Sequence, residues 1–113
     1  MNRLIEIRSY KLKAGMEDAF HRLVDTSAVP MLRAWPMDVV AFGPSAHEPD
    51  AYFRDRSYAD LDDLNAQQDA LYRSDLWRDG PRESTLAAVD SFLNTALWLS
   101  PLAIEDLASS QRS

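Results

Sequence analysis

The chain has 113 residues, 46% of them hydrophobic, which is the size and composition of a single globular domain with its own core. The absence of cysteine excludes a disulfide framework and a thiolate metal site, and the presence of only two histidines argues against a His-rich metal centre. Twelve Lys and Arg against 18 Asp and Glu give a formal charge of -6, the wrong sign for holding a nucleic-acid backbone. No run approaches the roughly 20 apolar residues of a membrane span. We therefore expect a cytoplasmic protein with no nucleic-acid or membrane partner, no metal and no cofactor.

The first half of the chain predicts two strands and a helix. Residues 4–12, LIEIRSYKL, alternate between two faces as a strand does. After a turn at Gly15, apolar residues recur at helical spacing over residues 20–35. Pro30 should kink or shorten this helix, because proline removes one donor from the hydrogen-bond ladder. The run VVAFGPS then predicts a second, short strand.

The second half predicts two more strands around a pair of helices. AYFRDRS resumes alternation, and Ser57 with Asp60 three residues later suits the N-cap of the following helix. The inner stripe of that helix is formed by Leu61, Leu64, Gln68, Leu71 and Tyr72. In SDLWRDGPRES, a cap at Ser74, a stop at Gly80 and a restart at Pro81 predict a joint between helices. SFLNTALWLS alternates as the last strand.

The order of these elements matches an α+β fold, the ferredoxin-like βαββαβ sandwich with a four-stranded antiparallel sheet. We predict that residues 1–100 form this domain and that residues 101–113 form a tail, partly disordered or an arm on a dimer partner, with room for a helical turn at AIEDLA. Helices cover one face of such a sheet, yet apolar residues lie on both, as with Leu4 and Ile5. Leaving each large side chain in water costs about 1.5–3 kcal/mol. The sequence therefore predicts a homodimer that pairs through its sheet faces.

Three stretches resemble the NIPSNAP family: IEIRSYKLKAG, AYFRDRSYADLDDLNAQQDALYRSDLW and SDLWRDGPRES, the last being similar to the family's Ser-x-x-Trp segment. Ala14 departs from the pattern, since proline is common before the turn glycine, and LWLSPLA only loosely matches the closing Arg-Pro segment. The resemblance implies a dimeric α/β barrel with a cavity between sheet and helices in each subunit. Relatives on this fold include cofactor-independent monooxygenases of aromatic polyketides, muconolactone isomerases and proteins with no established activity, so the resemblance leaves the reaction open.

Five residues are predicted to bind a ligand in that cavity: Arg8, Tyr10, Arg54, Trp77 and Asn94. A cation beside a phenol can anchor an anionic or enolic group in apolar surroundings. Each residue also has a structural alternative. Glu6 could pair with Arg8, Asp55 could hold Arg54, Trp77 could serve packing alone, and Asn94 could bond a neighbouring strand.

Three functions follow from the sequence. The first is a homodimer that binds a small, partly apolar molecule. The second is a cofactor-independent monooxygenase or isomerase acting on an aromatic, polyketide-like or lactone substrate, for which no catalytic residue is assigned, because neither His21 nor His47 is a compelling base. The third is a structural interaction module with no pocket. A cavity near Arg8 separates the first two from the third.

Overall fold

The computed structural model describes residues 1–112 and contains one four-stranded sheet. The strands are β1 (Arg3–Leu12), β2 (Asp38–Pro44), β3 (Ala51–Tyr58) and β4 (Val89–Leu99). The helices are α1 (Glu17–Leu23), α2 (Val29–Ala34), α3 (Leu61–Arg73), α4 (Asp75–Arg78), α5 (Arg82–Ala88) and α6 (Pro101–Arg112). Neighbouring strands are antiparallel in the order β2-β3-β1-β4, which confirms the predicted ferredoxin-like α+β fold. None of the helices formed by residues 1–112 has both the length and the apolar character needed to cross a bilayer.

The helical segment after β1 adapts to Pro30 by widening rather than by ending. Between α1 and α2 the chain forms a π-helical turn, Val24–Ala28, which ends two residues before the proline. Proline cannot donate a backbone hydrogen bond, and its ring crowds the carbonyl four residues earlier. A wider turn at that point relieves the crowding while the helical segment continues.

The main core lies between the sheet and the helices α1, α2, α3 and α5. Its buried members are Leu4, Tyr10, Leu12, Phe20, Val24, Val29, Leu32, Met37, Val39, Tyr52, Tyr58, Leu64, Leu71 and Ala88. Because strand side chains alternate, the face of β1 that carries Leu4, Tyr10 and Leu12 also carries Glu6 and Arg8. Charged groups therefore enter a largely apolar layer.

The joint between α3 and α5 has the form predicted from its sequence. The backbone N–H of Trp77 donates to Oγ of Ser74 at 3.4 Å, and that hydroxyl donates to the carbonyl of Leu71 at 2.6 Å. A Cβ atom at Gly80 would lie 2.4 Å from the carbonyl oxygen of Leu76, so only glycine fits this close approach.

The N-cap of α3 differs from the prediction. Asp60 caps this helix, since its Oδ1 accepts a hydrogen bond of 2.8 Å from the backbone N–H of Asp63. Ser57 instead lies within β3, where its hydroxyl donates to Asp38 of β2. The strand continues to Tyr58, past the residue at which the sequence suggested a helix start.

Residues 101–112 form α6, which packs on the chain's own sheet. Ser100 begins this helix: its Oγ accepts from the N–H of Ala103 at 3.1 Å. Ile104 is buried in a second core with Leu107 packed beside it, at the spacing of one helical face. Ser113 lies outside the described residues, and the domain boundary at residue 100 stays a prediction.

Helix α6 packs on the face of the sheet opposite the other helices. Its core there contains Ile5, Val40, Ala41 and Ile104. The side chain of Gln111 accepts a hydrogen bond of 2.7 Å from the N–H of Phe42 and donates one to its carbonyl, which ties α6 to β2.

Strand β4 lies at the other edge of the sheet and exposes large apolar side chains on both of its faces. Phe92 and Trp98, on the face of the main core, are 57% and 53% exposed in the single chain. Leu93, on the face that carries α6, is 70% exposed, and Leu97, four residues further along the same face, is also exposed. Helix α6 therefore covers the part of that face near β2 and leaves these two leucines uncovered.

Candidate functional site

Strand pairing brings four charged residues together beneath the helices. In the register of β1 with β3, Arg8 lies opposite Arg54 and Glu6 lies opposite Arg56. All four side chains share the helix-covered face, because each strand alternates with a period of two. Three guanidinium groups and one carboxylate therefore occupy a small area of the sheet.

Glu6 neutralises part of this charge. Its Oε1 accepts from Nε of Arg56 at 2.9 Å and lies 2.7 Å from Nη2 of the same residue, and its Oε2 lies 3.5 Å from Nη2 of Arg8. Nε2 of Gln68 donates to Oε2 at 2.5 Å. Burial alone would raise the pKa of Glu6, but the charge of Arg56, with help from Gln68 and Arg8, outweighs burial and lowers it. The predicted alternative in which Glu6 pairs with Arg8 is thus formed, with Arg56 as the closer partner.

The phenol oxygen of Tyr72 accepts a hydrogen bond from one nitrogen of each of the three arginines. Nη1 of Arg8 donates to it at 3.1 Å, Nη1 of Arg56 at 3.2 Å and Nη2 of Arg54 at 3.5 Å. Burial would raise the pKa of this phenol, but the charges of Arg54, Arg56 and Arg8 together lower it to about 8. Tyr72 was not among the five predicted site residues. The signal available in the sequence was its place on the inner stripe of α3.

A cavity of about 230 Å³ opens beside this cluster, between the sheet and the helices α3, α4 and α5. Its wall includes Arg8, Tyr10, Arg54, Tyr72, Trp77, Arg82, Leu86 and Phe92. Arg8 and Arg54 lie on the sheet side and Arg82 lies on α5, with apolar and aromatic groups around them. Such a wall suits a ligand that has an anionic group and an apolar body.

Four of the five predicted site residues, Arg8, Tyr10, Arg54 and Trp77, line this cavity. Asn94 instead lies opposite Arg8 in the pairing of β1 with β4, and its Oδ1 accepts a hydrogen bond of 2.8 Å from Nε of that arginine. The alternative in which Asn94 bonds a neighbouring strand is the one that forms. Ligand binding by these residues stays a prediction.

Arg54 is the least satisfied of the three arginines. It is buried, and its Nε has no hydrogen-bond partner among residues 1–112. Its guanidinium carbon lies 5.7 Å from the centre of the Tyr10 ring, within the range of a cation–π contact. Asp55 points to the opposite face of the sheet, because adjacent strand residues alternate, so it does not neutralise Arg54.

Comparison with solved structures identifies the architecture. A NIPSNAP family protein from Agrobacterium tumefaciens superposes with a TM-score of 0.78 at 19% identity, covering 88% of this chain and 98% of that chain. This chain has the NIPSNAP fold. A NIPSNAP-like domain protein from Burkholderia xenovorans matches with a TM-score of 0.78 at 16% identity, over 88% and 86% of the two chains. A second NIPSNAP family protein from A. tumefaciens, with unknown function, matches with a TM-score of 0.77 at 18% identity, over 87% and 88%.

The NIPSNAP fold accounts for the arrangement of strands and helices, but it does not indicate which chemistry the site performs. No protein-family model matches the sequence, and no curated protein matches it either. Within residues 1–112, no group of three or more His, Cys, Asp or Glu side chains is placed to hold a metal ion. The arginine cluster, Tyr72 and the cavity are therefore the features from which a function can be argued.

Proposed function

We propose that this NIPSNAP-fold protein is a homodimer that binds a small, partly apolar carboxylate in the cavity between sheet and helices. The observation that carries the proposal is Arg54, a buried guanidinium in the cavity wall whose Nε has no partner among the described residues. Buried polar groups are nearly always hydrogen-bonded, so such a donor indicates a missing partner.

The charge balance of the cluster supports an anion as that partner. Arg8, Arg54 and Arg56 carry three positive charges and Glu6 carries one negative charge, which leaves an excess of two when Tyr72 is neutral. Uncompensated buried charge is strongly unfavourable. A carboxylate is a suitable partner, because its two oxygens match the planar donor fork of a guanidinium.

The rest of the cavity supports a small ligand with an apolar body. Phe92, Leu86 and Trp77 line it, and its volume of about 230 Å³ is below the range of typical ligand pockets, roughly 300–1,000 Å³. A short acid that bears one phenyl ring fits this description. A cavity beside Arg8 also favours ligand binding over a structural module with no pocket.

The homodimer is supported by the exposed groups of β4. Leu93 and Leu97 form an apolar patch on the face that carries α6, and the edge of β4 is the end of the sheet. Burying such a side chain stabilises the dimer by about 1.5–3 kcal/mol, and in a two-fold symmetric dimer each leucine is buried in both subunits. A second copy of the sheet is the partner that we propose.

A second candidate function, an enzyme of the cofactor-independent monooxygenase or isomerase kind acting on an aromatic, polyketide-like or lactone substrate, is favoured by one observation. Three arginines surround the phenol oxygen of Tyr72 and lower its pKa to about 8, so Tyr72 is the base that we propose for such a reaction. The cytoplasmic location expected from the sequence stays a prediction.

Calorimetric titration with 3-phenylpropanoate and with its neutral analogue 3-phenylpropan-1-ol tests the proposal. We expect the acid to bind at least about tenfold more tightly than the alcohol, because charge-assisted hydrogen bonds are about twice as strong as neutral ones. Arg54→Gln should abolish that preference, whereas Arg33→Gln, the same charge change on the exposed surface of α2, should keep it. Equal binding of acid and alcohol, or binding of neither, would refute the proposed function.

A further inference from the structure

Three donors converge on the oxygen of Tyr72. Arg8 reaches it from β1, and Arg54 and Arg56 reach it from β3, at 3.1, 3.5 and 3.2 Å. A neutral phenol must also donate its own proton, and a cluster of guanidinium groups contains no acceptor. A phenolate can accept from all three arginines, so the geometry is suited to the ionised form of Tyr72.

Electrostatics agrees with this geometry. Around the phenol, burial raises the pKa and the charges of Arg54, Arg56 and Arg8 lower it, with a net value of about 8. The other charged groups around Tyr72 are Glu6, which is held by Arg56 and Gln68, and two further cations, Arg78 of α4 and Arg82 of α5, which line an adjoining pocket with Tyr72. A group whose pKa lies close to the working pH exchanges protons efficiently.

The position of Tyr72 allows contact with a bound molecule. Its side chain lines the same cavity as Arg8 and Arg54, and its ring meets Trp77 edge to face with 5.3 Å between ring centres. A carboxylate held by Arg54 would place the next carbons of a short ligand beside the phenol oxygen. We infer that Tyr72 is a catalytic proton-transfer residue that enolises small carboxylates bearing a carbonyl group next to a C–H bond. This inference rests on the proposed function, because it requires the carboxylate to bind in this cavity.

The reaction is balanced without a co-reactant. The Tyr72 phenolate removes a proton from the carbon beside the carbonyl, and the C–H electron pair becomes the C=C bond of an enolate whose negative charge lies on the carbonyl oxygen. Arg8 and Arg54 lose part of their interaction with the phenolate once it is protonated, and they can donate to the enolate oxygen instead. Return of the proton to the same carbon gives hydrogen exchange. Return to another carbon of a conjugated ligand gives isomerisation.

Phenylpyruvate in deuterium oxide is the probe for this reaction, because it combines a carboxylate, an enolisable carbonyl and one phenyl ring. Proton NMR measures the loss of its C3 hydrogens. We expect wild-type protein to accelerate the exchange at least about 100-fold over the free compound, the lower end of general acid–base catalysis. Tyr72→Phe should remove the acceleration and still bind 3-phenylpropanoate within about threefold of wild type, since only the hydroxyl is lost. Tyr52→Phe, which removes a phenol that does not line the cavity, should keep the acceleration.

The outcomes separate this inference from the proposed function. If 3-phenylpropanoate binds but exchange is not accelerated, or if Tyr72→Phe is as active as wild type, the proton-transfer role is refuted while ligand binding stands. If neither acid binds, the proposed function fails and the inference fails with it. The wild-type pH profile gives a test that needs no variant. The exchange rate should rise through about pH 8 as Tyr72 ionises, and a flat profile from pH 6 to pH 9 would refute the role.

Discussion

The phenol oxygen of Tyr72 lies 3.2 Å from Nη1 of Arg56 and so joins the end of α3 to β3. Arg56 is fully buried and also holds Glu6 through Nε and Nη2. One guanidinium group therefore links a buried ion pair to the wall of the cavity. Substitution of Glu6 should chiefly affect the stability of the fold, and substitution of Tyr72 should chiefly affect the charge of the cavity.

Tyr72 should ionise at a lower pH than the other tyrosines. A spectrophotometric titration of tyrosinate should show one residue with a pKa near 8, because three arginines favour its phenolate. Tyr72→Phe should remove that step. Tyr52→Phe should keep it, since burial raises the pKa of Tyr52. A wild-type titration that lacks a step below pH 9 would contradict the geometry described for the cluster.

Glu6→Gln should destabilise the protein strongly. The substitution keeps the shape of the side chain but leaves the buried guanidinium of Arg56 without its carboxylate, a loss of roughly 3 kcal/mol or more. Urea denaturation of wild type and variant measures it. The matched control is Asp69→Asn, which breaks the exposed pair with Arg73 and should cost less than about 0.5 kcal/mol. Similar losses for the two variants would show that the buried pair is not a major stabilising contact.

Asp55 should make stability rise as pH falls from about 7 to about 4. Burial, with a smaller effect of the Glu6 charge, raises the pKa of this carboxyl from 3.8 to about 6 in the folded protein. The folded state therefore binds the proton more tightly than the unfolded state in that window, which adds up to about 3 kcal/mol at the acid end. The lowered pKa of Glu6 acts in the opposite direction, and only below its usual value of 4.5.

Asp55→Asn tests this assignment by urea denaturation across the same pH range. The variant should be more stable than wild type at pH 7. It should lose most of the increase in stability between about pH 7 and pH 4, because the amide does not titrate. Exposed Asp62→Asn serves as the control and should keep the wild-type slope. A wild-type stability that falls steadily from pH 7 to pH 5 would contradict the raised pKa of Asp55.

Leu93→Lys should dissociate the proposed homodimer. Leu93 is 70% exposed on β4, and a lysine there would place a charge on each side of the sheet-to-sheet contact. We expect the dimer dissociation constant to rise at least about 100-fold, because two large apolar contacts are lost. Sedimentation equilibrium compares it with Leu61→Lys, a control at an exposed leucine of α3. A wild-type protein that is monomeric at micromolar concentration would remove the basis for the dimer.

Local sequence patterns were sufficient to predict the strands of the sheet and part of the candidate site. Alternation within β1 placed Glu6, Arg8 and Tyr10 on one face, and that assignment depends only on the period of a strand. The joint at Gly80 was equally local, since a cap, a glycine and a proline define it within eight residues. The polarity of each strand face could thus be predicted before any tertiary contact was known.

Contacts that depend on register and packing could not be predicted in the same way. Arg54 and Arg56 face Arg8 and Glu6 only because β1 and β3 pair in one particular register. Tyr72 joins them only because α3 lies across that part of the sheet. The sequence indicated only a helical turn within α6, because the buried stripe of this helix is short, with Ile104 and Leu107 among polar residues.

A crystal structure of the protein with 3-phenylpropanoate is the most direct test of the central claim, that the arginine-lined cavity holds a small apolar carboxylate. We predict the carboxylate within hydrogen-bond distance of Arg54, close to the phenol oxygen of Tyr72, with the phenyl ring against Phe92 and Leu86. A cavity that stays empty while the acid is bound elsewhere, or a cavity filled by the protein's own side chains, would contradict the claim.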